Sequence, residues 1–242
     1  MELPSAAMLV IGDEILSGRT RDANMHHLAQ ALTAHGIALK EVRIVSDDHA
    51  AIVQAVRALS ATADHVFTSG GIGPTHDDIT AEAVAAAFDT PITIRDDARA
   101  ILQAHYDRQN QTLNEARLRM ARIPDGAQLI DNPISAAPGF TLGNVHVMAG
   151  VPVIFETMVK SVLASLNGGP VLISGSVRVD RGEGDIATHL TEIAEAHPEV
   201  QIGSYPFQRD GRFGANIVVR HIDATLVETV LTRLRTAFPD AT

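Results

Sequence analysis

Three times before Pro91, a short apolar run gives way to a stretch with helical periodicity. Ala6–Gly12 reads as a buried strand, and Asp22–His35 as a helix with Met25, Leu28, Ala29 and Leu32 on one face and Gly36 as its stop. Ile37–Val45 alternates as a second strand before the helical pattern of Ala50–Leu59, and Asp64–Ser69 is a third strand before Ile79–Phe88. Such an order admits few folds. It predicts an α/β protein with a mostly parallel, doubly wound sheet and right-handed crossovers. The segment from Asp96 to Arg122 is helical in pattern and splits near Asn110–Asn114. Leu129–Ile130 and Val145–Met148 read as further strands, and Pro152 suits the first turn of a last helix running to about Leu166.

Asn167-Gly-Gly-Pro170 is the clearest linker signal, and it divides the chain into residues 1–168 and 169–242. The second part runs strand (Val171–Val179), helix (Asp185–Ala196), strand (Val200–Tyr205), strand (Gly214–Arg220), helix (Ala224–Phe238). That order predicts a small α+β domain on a mostly antiparallel sheet.

The chemistry concentrates at the ends of the first three strands. Asp13-Glu14, Asp47-Asp48 and Asp77-Asp78 each follow one of them. Ligands of open parallel sheets bind beyond the carboxyl ends of the strands, where the strand order reverses. The third doublet closes the run Gly70-Gly-Ile-Gly-Pro-Thr-His-Asp-Asp78, whose backbone N–H groups suit a phosphate. Carboxylates beside a phosphate repel it unless a cation lies between, and clustered oxygen ligands suit Mg²⁺ or another divalent ion. Asp78, Asp47 and Asp13 are therefore the candidate metal ligands. Glu14 is a candidate general base, and the N–H groups of Gly70, Gly71 and Gly73 are the candidate phosphate cradle, with Thr75 beside them. Ser17 follows the first strand as part of a loop that could close over a ligand, and Gly150, before Pro152, offers a second turn. Plainer roles stand beside these. Asp48 suits the N-cap of the next helix, Gly150-Val151-Pro152 suits a helix start, and Ser135–Gly139 reads equally as a substrate loop or a turn. His76 is a candidate acid–base group, and Arg178, Arg181, Arg209 and Arg212 could solvate the small domain or reach a neighbouring subunit's phosphate site.

Composition removes several classes. The chain has no cysteine, which excludes disulfides, cysteine–zinc sites and thiol catalysis. A net charge of −10 and 4% aromatic residues argue against a nucleic-acid surface. No apolar run reaches membrane-spanning length, and the N-terminus lacks a secretory pattern, so a cytoplasmic protein is expected.

At these residues the chain resembles the competence/damage-inducible protein A (CinA) family. Ile11-Gly-Asp-Glu-Ile-Leu-Ser-Gly18, Val45-Ser-Asp-Asp48 and Gly70–Thr80 are similar to that family's N-terminal part, a MoaB/Mog-type molybdopterin-binding domain. Asn132–Phe140, Gly150-Val-Pro152, Gly182–Ala187 and Ile202–Pro206 fall in the family's order. The resemblance implies a three-layer α/β/α core with a small α+β domain appended, and a homo-oligomer. In molybdenum-cofactor relatives, it implies that the aspartates matching Asp47 and Asp78 serve Mg²⁺ and nucleotide during adenylyl transfer to molybdopterin. In the CinA family it implies metal-dependent cleavage of ADP-ribose-type pyrophosphates. The expected function is that hydrolase. The alternatives are the adenylyltransferase or a module that binds a nucleotide or pterin, molybdopterin included, without turnover. The deamidase domain of longer family members is not seen, so deamidation is not expected. The family's Leu-Pro-Gly stands here as Met148-Ala149-Gly150, a change expected to loosen that turn.

Overall fold

Two opposed apolar faces are what the alternating strands need to bury, and the first compact unit, Met1–Gly169, supplies a helical layer for each. The computed structural model describes residues 3–209 and 211–242, with the side chains of Arg209 and Arg212 outside that description. The chain begins β1 (Ser5–Ile11), α1 (Asp13–Leu16), α2 (Asn24–Ala34), β2 (Ala38–Val45), α3 (His49–Ser60), β3 (His65–Ser69) and α4 (Thr80–Ala87). It continues through β4 (Ile92–Ile94), α5 (Asp96–Arg108), α6 (Glu115–Leu118), a 3₁₀ turn at Arg119–Ala121, β5 (Arg122–Pro124), β6 (Gln128–Ile130), β7 (Gly139–Leu142), β8 (Val145–Met148) and α7 (Pro152–Leu163).

The main sheet has the order β2-β1-β3-β8-β7-β6, parallel as far as β8 and antiparallel beyond it. Leu9, Ile11, Val66 and Val147 pack on one face against Ile52, Val56, Val84 and Leu102 of α3, α4 and α5. Met8, Val10, Phe67 and Met148 pack on the other against Leu28 and Leu32 of α2 and Phe155 and Val159 of α7. Chain direction away from β1 reverses between β2 and β3, which sets the switch point beside the C-terminal ends of β1 and β3.

The mostly parallel α/β fold and its helical layers are as the alternation predicts, and the helical pattern over Asp96–Arg122 breaks between Arg108 and Glu115, near Asn110–Asn114 as expected, with Asn110 at a left-handed φ of 54°. There are two differences. Arg122–Pro124 pairs with Ile92–Ile94 as a small antiparallel ribbon. Gly139–Leu142, partly read as a loop, is strand β7, folded back on β8 through a turn where Gly143 has φ 58°.

The second unit, Pro170–Thr242, contains β9 (Ile173–Val179), α8 (Glu183–Ala196), β10 (Gln201–Arg209), β11 (Arg212–His221) and α9 (Ala224–Ala237). Its antiparallel sheet, β10-β11-β9, buries Val177, Ile217 and Val219 against Ile186, Val230 and Leu234. Among the described residues, no helix is long and apolar enough to cross a membrane.

One buried group on the sheet carries a pH consequence. His146 is 3% exposed, with its ring nitrogens 3.0 Å from the Thr141 hydroxyl and 3.3 Å from His65 Nδ1. Burial first, then the charge of His65, pushes its pKa from 6.5 down to about 4. It is neutral in the folded chain, whereas the unfolded chain takes up the proton below 6.5. Its contribution is complete above 6.5 and is lost as pH falls toward 4, about 3 kcal/mol in all. Denaturant melts over that range should show a shallower loss of stability for His146→Leu than for the parent chain; equal slopes would exclude His146 as the source.

Candidate functional site

The strand ends at the switch point are joined by backbone rather than by long side chains. Gly70 has φ 108° and Gly71 φ 68°, values that favour glycine. A β-carbon on Gly70 would strike the Ile11 carbonyl, and one on Gly71 would strike the Thr80 hydroxyl. Thr80, fully buried, donates its N–H to the Gly71 carbonyl at 2.9 Å and its hydroxyl to the Gly70 carbonyl at 3.0 Å. These bonds close the loop 70–80 and start α4 at the same point. Asn24, 3% exposed, donates to both Ser69 Oγ (2.8 Å) and the Gly150 carbonyl (2.7 Å), tying β3 to the turn after β8.

These turns surround a cavity of about 550 Å³. Glu14, Asp47, Asp77 and Asp78 line it, together with Gly70, Gly71, Gly73, Gly150 and Asn132. The acidic doublets therefore divide. Asp48 caps α3, accepting the Ala51 N–H at 2.8 Å, which is the plainer role the sequence allowed. Asp13 lies on an outer groove with Ser17 and His76, and its N–H donates to Asp47 Oδ2 at 2.9 Å. Thr75 is directed at Asp78, its N–H (2.8 Å) and hydroxyl (2.5 Å) both donating to Oδ2. The Asp78 carboxylate lies against Gly73, where an added β-carbon would stand 2.6 Å from Oδ2. His76 has a side chain 98% exposed.

Burial raises the Asp47 pKa above the ordinary carboxylate value; the Asp13 N–H opposes this, and the charges of Asp13, Glu14 and Asp77 add to it. Among the described residues, no three His, Asp or Glu side chains come close enough to chelate an ion unaided. The donor set fits Mg²⁺ in the mode where one or two carboxylates share it with water and substrate phosphate.

Further polar residues brace the loops around the cavity. Arg119 donates to the Asp78 carbonyl at 3.4 Å and, with Arg122, flanks Glu82 beneath the loop. Asn132 shapes the loop before β7: its Nδ2 donates to Ser135 Oγ and the Ala137 carbonyl, and its Oδ1 accepts from the Ile134 and Ser135 N–H groups. The Gly150 turn is held despite the missing proline, since Pro152 opens α7 and Asn24 anchors the Gly150 carbonyl. In the second unit Arg178 pairs with Asp180 and covers the Phe207 ring at 4.5 Å, and Arg181 pairs with Asp240. The side chains of Arg209 and Arg212 lie outside the described residues.

Residues 7–168 match the family described as the probable molybdopterin binding domain. The chain belongs to this family. Residues 171–242 match the FAD synthase middle domain. A protein of Archaeoglobus fulgidus is 34% identical over 82% of this chain and 84% of its own length. A probable FAD synthase of Caenorhabditis elegans is 31% identical over 96% of this chain, which spans 49% of that protein. Among solved structures, the CinA protein of unknown function from Thermoplasma acidophilum shares 35% identity and a TM-score of 0.60, covering 65% of this chain and 95% of that one. The molybdopterin-binding-domain fold thus accounts for the first unit, CinA-like as the motifs imply.

The glycine turn gives a direct test. Gly71→Ala should destabilise the chain by about 1–3 kcal/mol, since a side chain there is strained at positive φ and meets Thr80. Thermal melts check this; an unchanged midpoint would show that the turn has another conformation.

Proposed function

We propose that the chain is a metal-dependent hydrolase that cleaves the phosphoanhydride of an ADP-linked diphosphate, of the ADP-ribose type. The observation that carries this reading is the pair Asp47 and Asp78. They come from different strand ends, each has one oxygen fixed by the protein, and both face one cavity with the glycine turn. Asp47 and Asp78 would hold a divalent ion, with Asp13 as a support that fixes Asp47 through its N–H. When bound, Mg²⁺ supplies charge to the phosphoryl oxygens and acidifies water. The N–H groups of Gly71 and Gly73 orient the diphosphate, whereas the predicted third donor, the Gly70 N–H, is spent on the Met148 carbonyl at 3.2 Å; Glu14, on the cavity wall, accepts a proton from the attacking water. Thr75 keeps Asp78 in place. One relative bears on the substrate: the probable FAD synthase makes FAD a second probe, because FAD is itself an ADP-linked diphosphate.

The second reading is adenylyl transfer to molybdopterin, favoured by the family match over residues 7–168. Both readings use the same carboxylates, and products separate them. Incubation with ADP-ribose and Mg²⁺ should release AMP and ribose 5-phosphate, and FAD should release AMP and FMN. Chelation should stop release and added Mg²⁺ restore it. Asp78→Asn should lower turnover roughly 10²-fold or more. Asp48→Ala should keep turnover while losing about 1 kcal/mol of stability with its cap. Formation of AMP-molybdopterin from ATP, with no hydrolysis of ADP-ribose or FAD, would replace the hydrolase by the transferase. Full turnover in Asp78→Asn would remove the metal-site assignment from both.

A further inference from the structure

The loop between β6 and β7, residues 131–138, borders the cavity through Asn132, Ser135 and Ala137. Backbone groups fix which way the Asn132 amide faces. Its Oδ1 accepts the Ile134 and Ser135 N–H groups, both at 3.2 Å, which an amide NH₂ could not do. Nδ2 therefore faces Ser135 Oγ at 2.7 Å and the Ala137 carbonyl at 2.8 Å, and donates one proton to each.

That orientation dictates what Ser135 has left. A hydroxyl carries one proton and two lone pairs. One lone pair takes the Asn132 proton, so the Ser135 proton points elsewhere, and among the described residues it meets no acceptor. Ser135 is half-buried and lines the cavity, which makes its hydroxyl a held donor on the cavity wall, polarised by the bond it accepts. Ala136 beside it is 9% exposed and has φ 60°, a left-handed value without glycine's freedom, with its N–H tied to the Asn132 carbonyl at 2.9 Å. Strain of this kind persists where surrounding bonds over-determine it, and it clusters at ligand clamps.

Charge decides which part of a ligand this loop meets. The carboxylates and the glycine turn of the cavity follow β1, β2 and β3, whereas the loop 131–138 contributes no charged side chain to it. Ile72, Met120, Ala149 and Ile154 give the cavity apolar wall, which suits a flat ring. Two strand spacings separate β3 from β7 in the main sheet, about 10 Å, the scale of one nucleoside. A diphosphate held at the carboxylates thus sets its nucleoside toward the loop.

We infer that Ser135 is a specificity-determining residue, whose hydroxyl donates to an uncharged acceptor, a ring nitrogen or carbonyl, on the base of the bound nucleotide. This rests on the cavity being a nucleoside-diphosphate site. Asn132 acts through Ser135, as the group that keeps the donor aimed outward.

Calorimetric titration with Mg²⁺ present compares ADP, which carries a base, with inorganic pyrophosphate, which carries none. Ser135→Ala should weaken ADP binding roughly three- to tenfold and leave pyrophosphate unchanged. Ser135→Thr, which keeps the hydroxyl, should bind ADP more tightly than Ser135→Ala. Equal weakening of both probes would make Ser135 a brace of the loop. That result, an ADP affinity indifferent to Ser135, or no ADP binding by the parent chain would overturn the inference. The hydrolase and the serine contact fail separately. A base-dependent loss in a chain that cleaves neither ADP-ribose nor FAD would remove the hydrolase and keep the contact, and turnover with an ADP affinity that ignores Ser135 would do the reverse.

Discussion

Thr80 holds the arrangement at the switch point together. Its N–H and hydroxyl close two successive carbonyls of a turn whose glycines would otherwise leave it free to open. Three consequences follow from that closure. α4 starts in a fixed place, the loop carrying Thr75 and Asp78 is anchored at both ends, and the turn lies close enough to β1 that a side chain on Gly70 would collide with Ile11. The turn after β8 is drawn in by Asn24, and Gly150 approaches Gly70 so closely that an added β-carbon would lie 3.2 Å from its Cα. The geometry here is a property of main chain fixed by two buried polar side chains. The donors of Thr80 and Asn24 reach the Gly70 and Gly150 carbonyls and the Ser69 hydroxyl, while Asn24 Oδ1 is buried without a partner.

Much of this was legible before the structure. Strands β1, β2, β3 and β8 are apolar runs long enough to show against their flanks, and α2, α3 and α7 carry a clear apolar stripe. Strands β4 and β5 have 3 residues each and β7 has 4, too few for an alternation to emerge. The break in the Asp96–Arg122 segment was legible at Asn110–Asn114, and Asn110 takes a left-handed conformation there.

The candidate site divides along the same line. The acidic doublets and the glycine run are visible as local words, and their meeting follows from strand order. Which member of a doublet faces the cavity does not, because it depends on the first residues after each strand. Asp48 accepts a helix N–H, Asp47 accepts the Asp13 N–H, and Thr75 spends both donors on Asp78. Arg119 and Asn24 take their roles from packing, and a single chain gives no pattern that separates them from other polar residues, whereas Asn132 opens the family-like segment Asn132–Phe140.

The loop before β7 has a different kind of independence. Asn132 satisfies its own amide within the five residues that follow it, so the loop is braced internally rather than by the acidic strand ends across the cavity. A wall built this way can exchange residues, or gain them, without disturbing the carboxylates. Divergence among chains of this fold could then proceed by replacing one rim of the cavity while the opposite rim stays constant, altering which molecule fits before altering what is done to it.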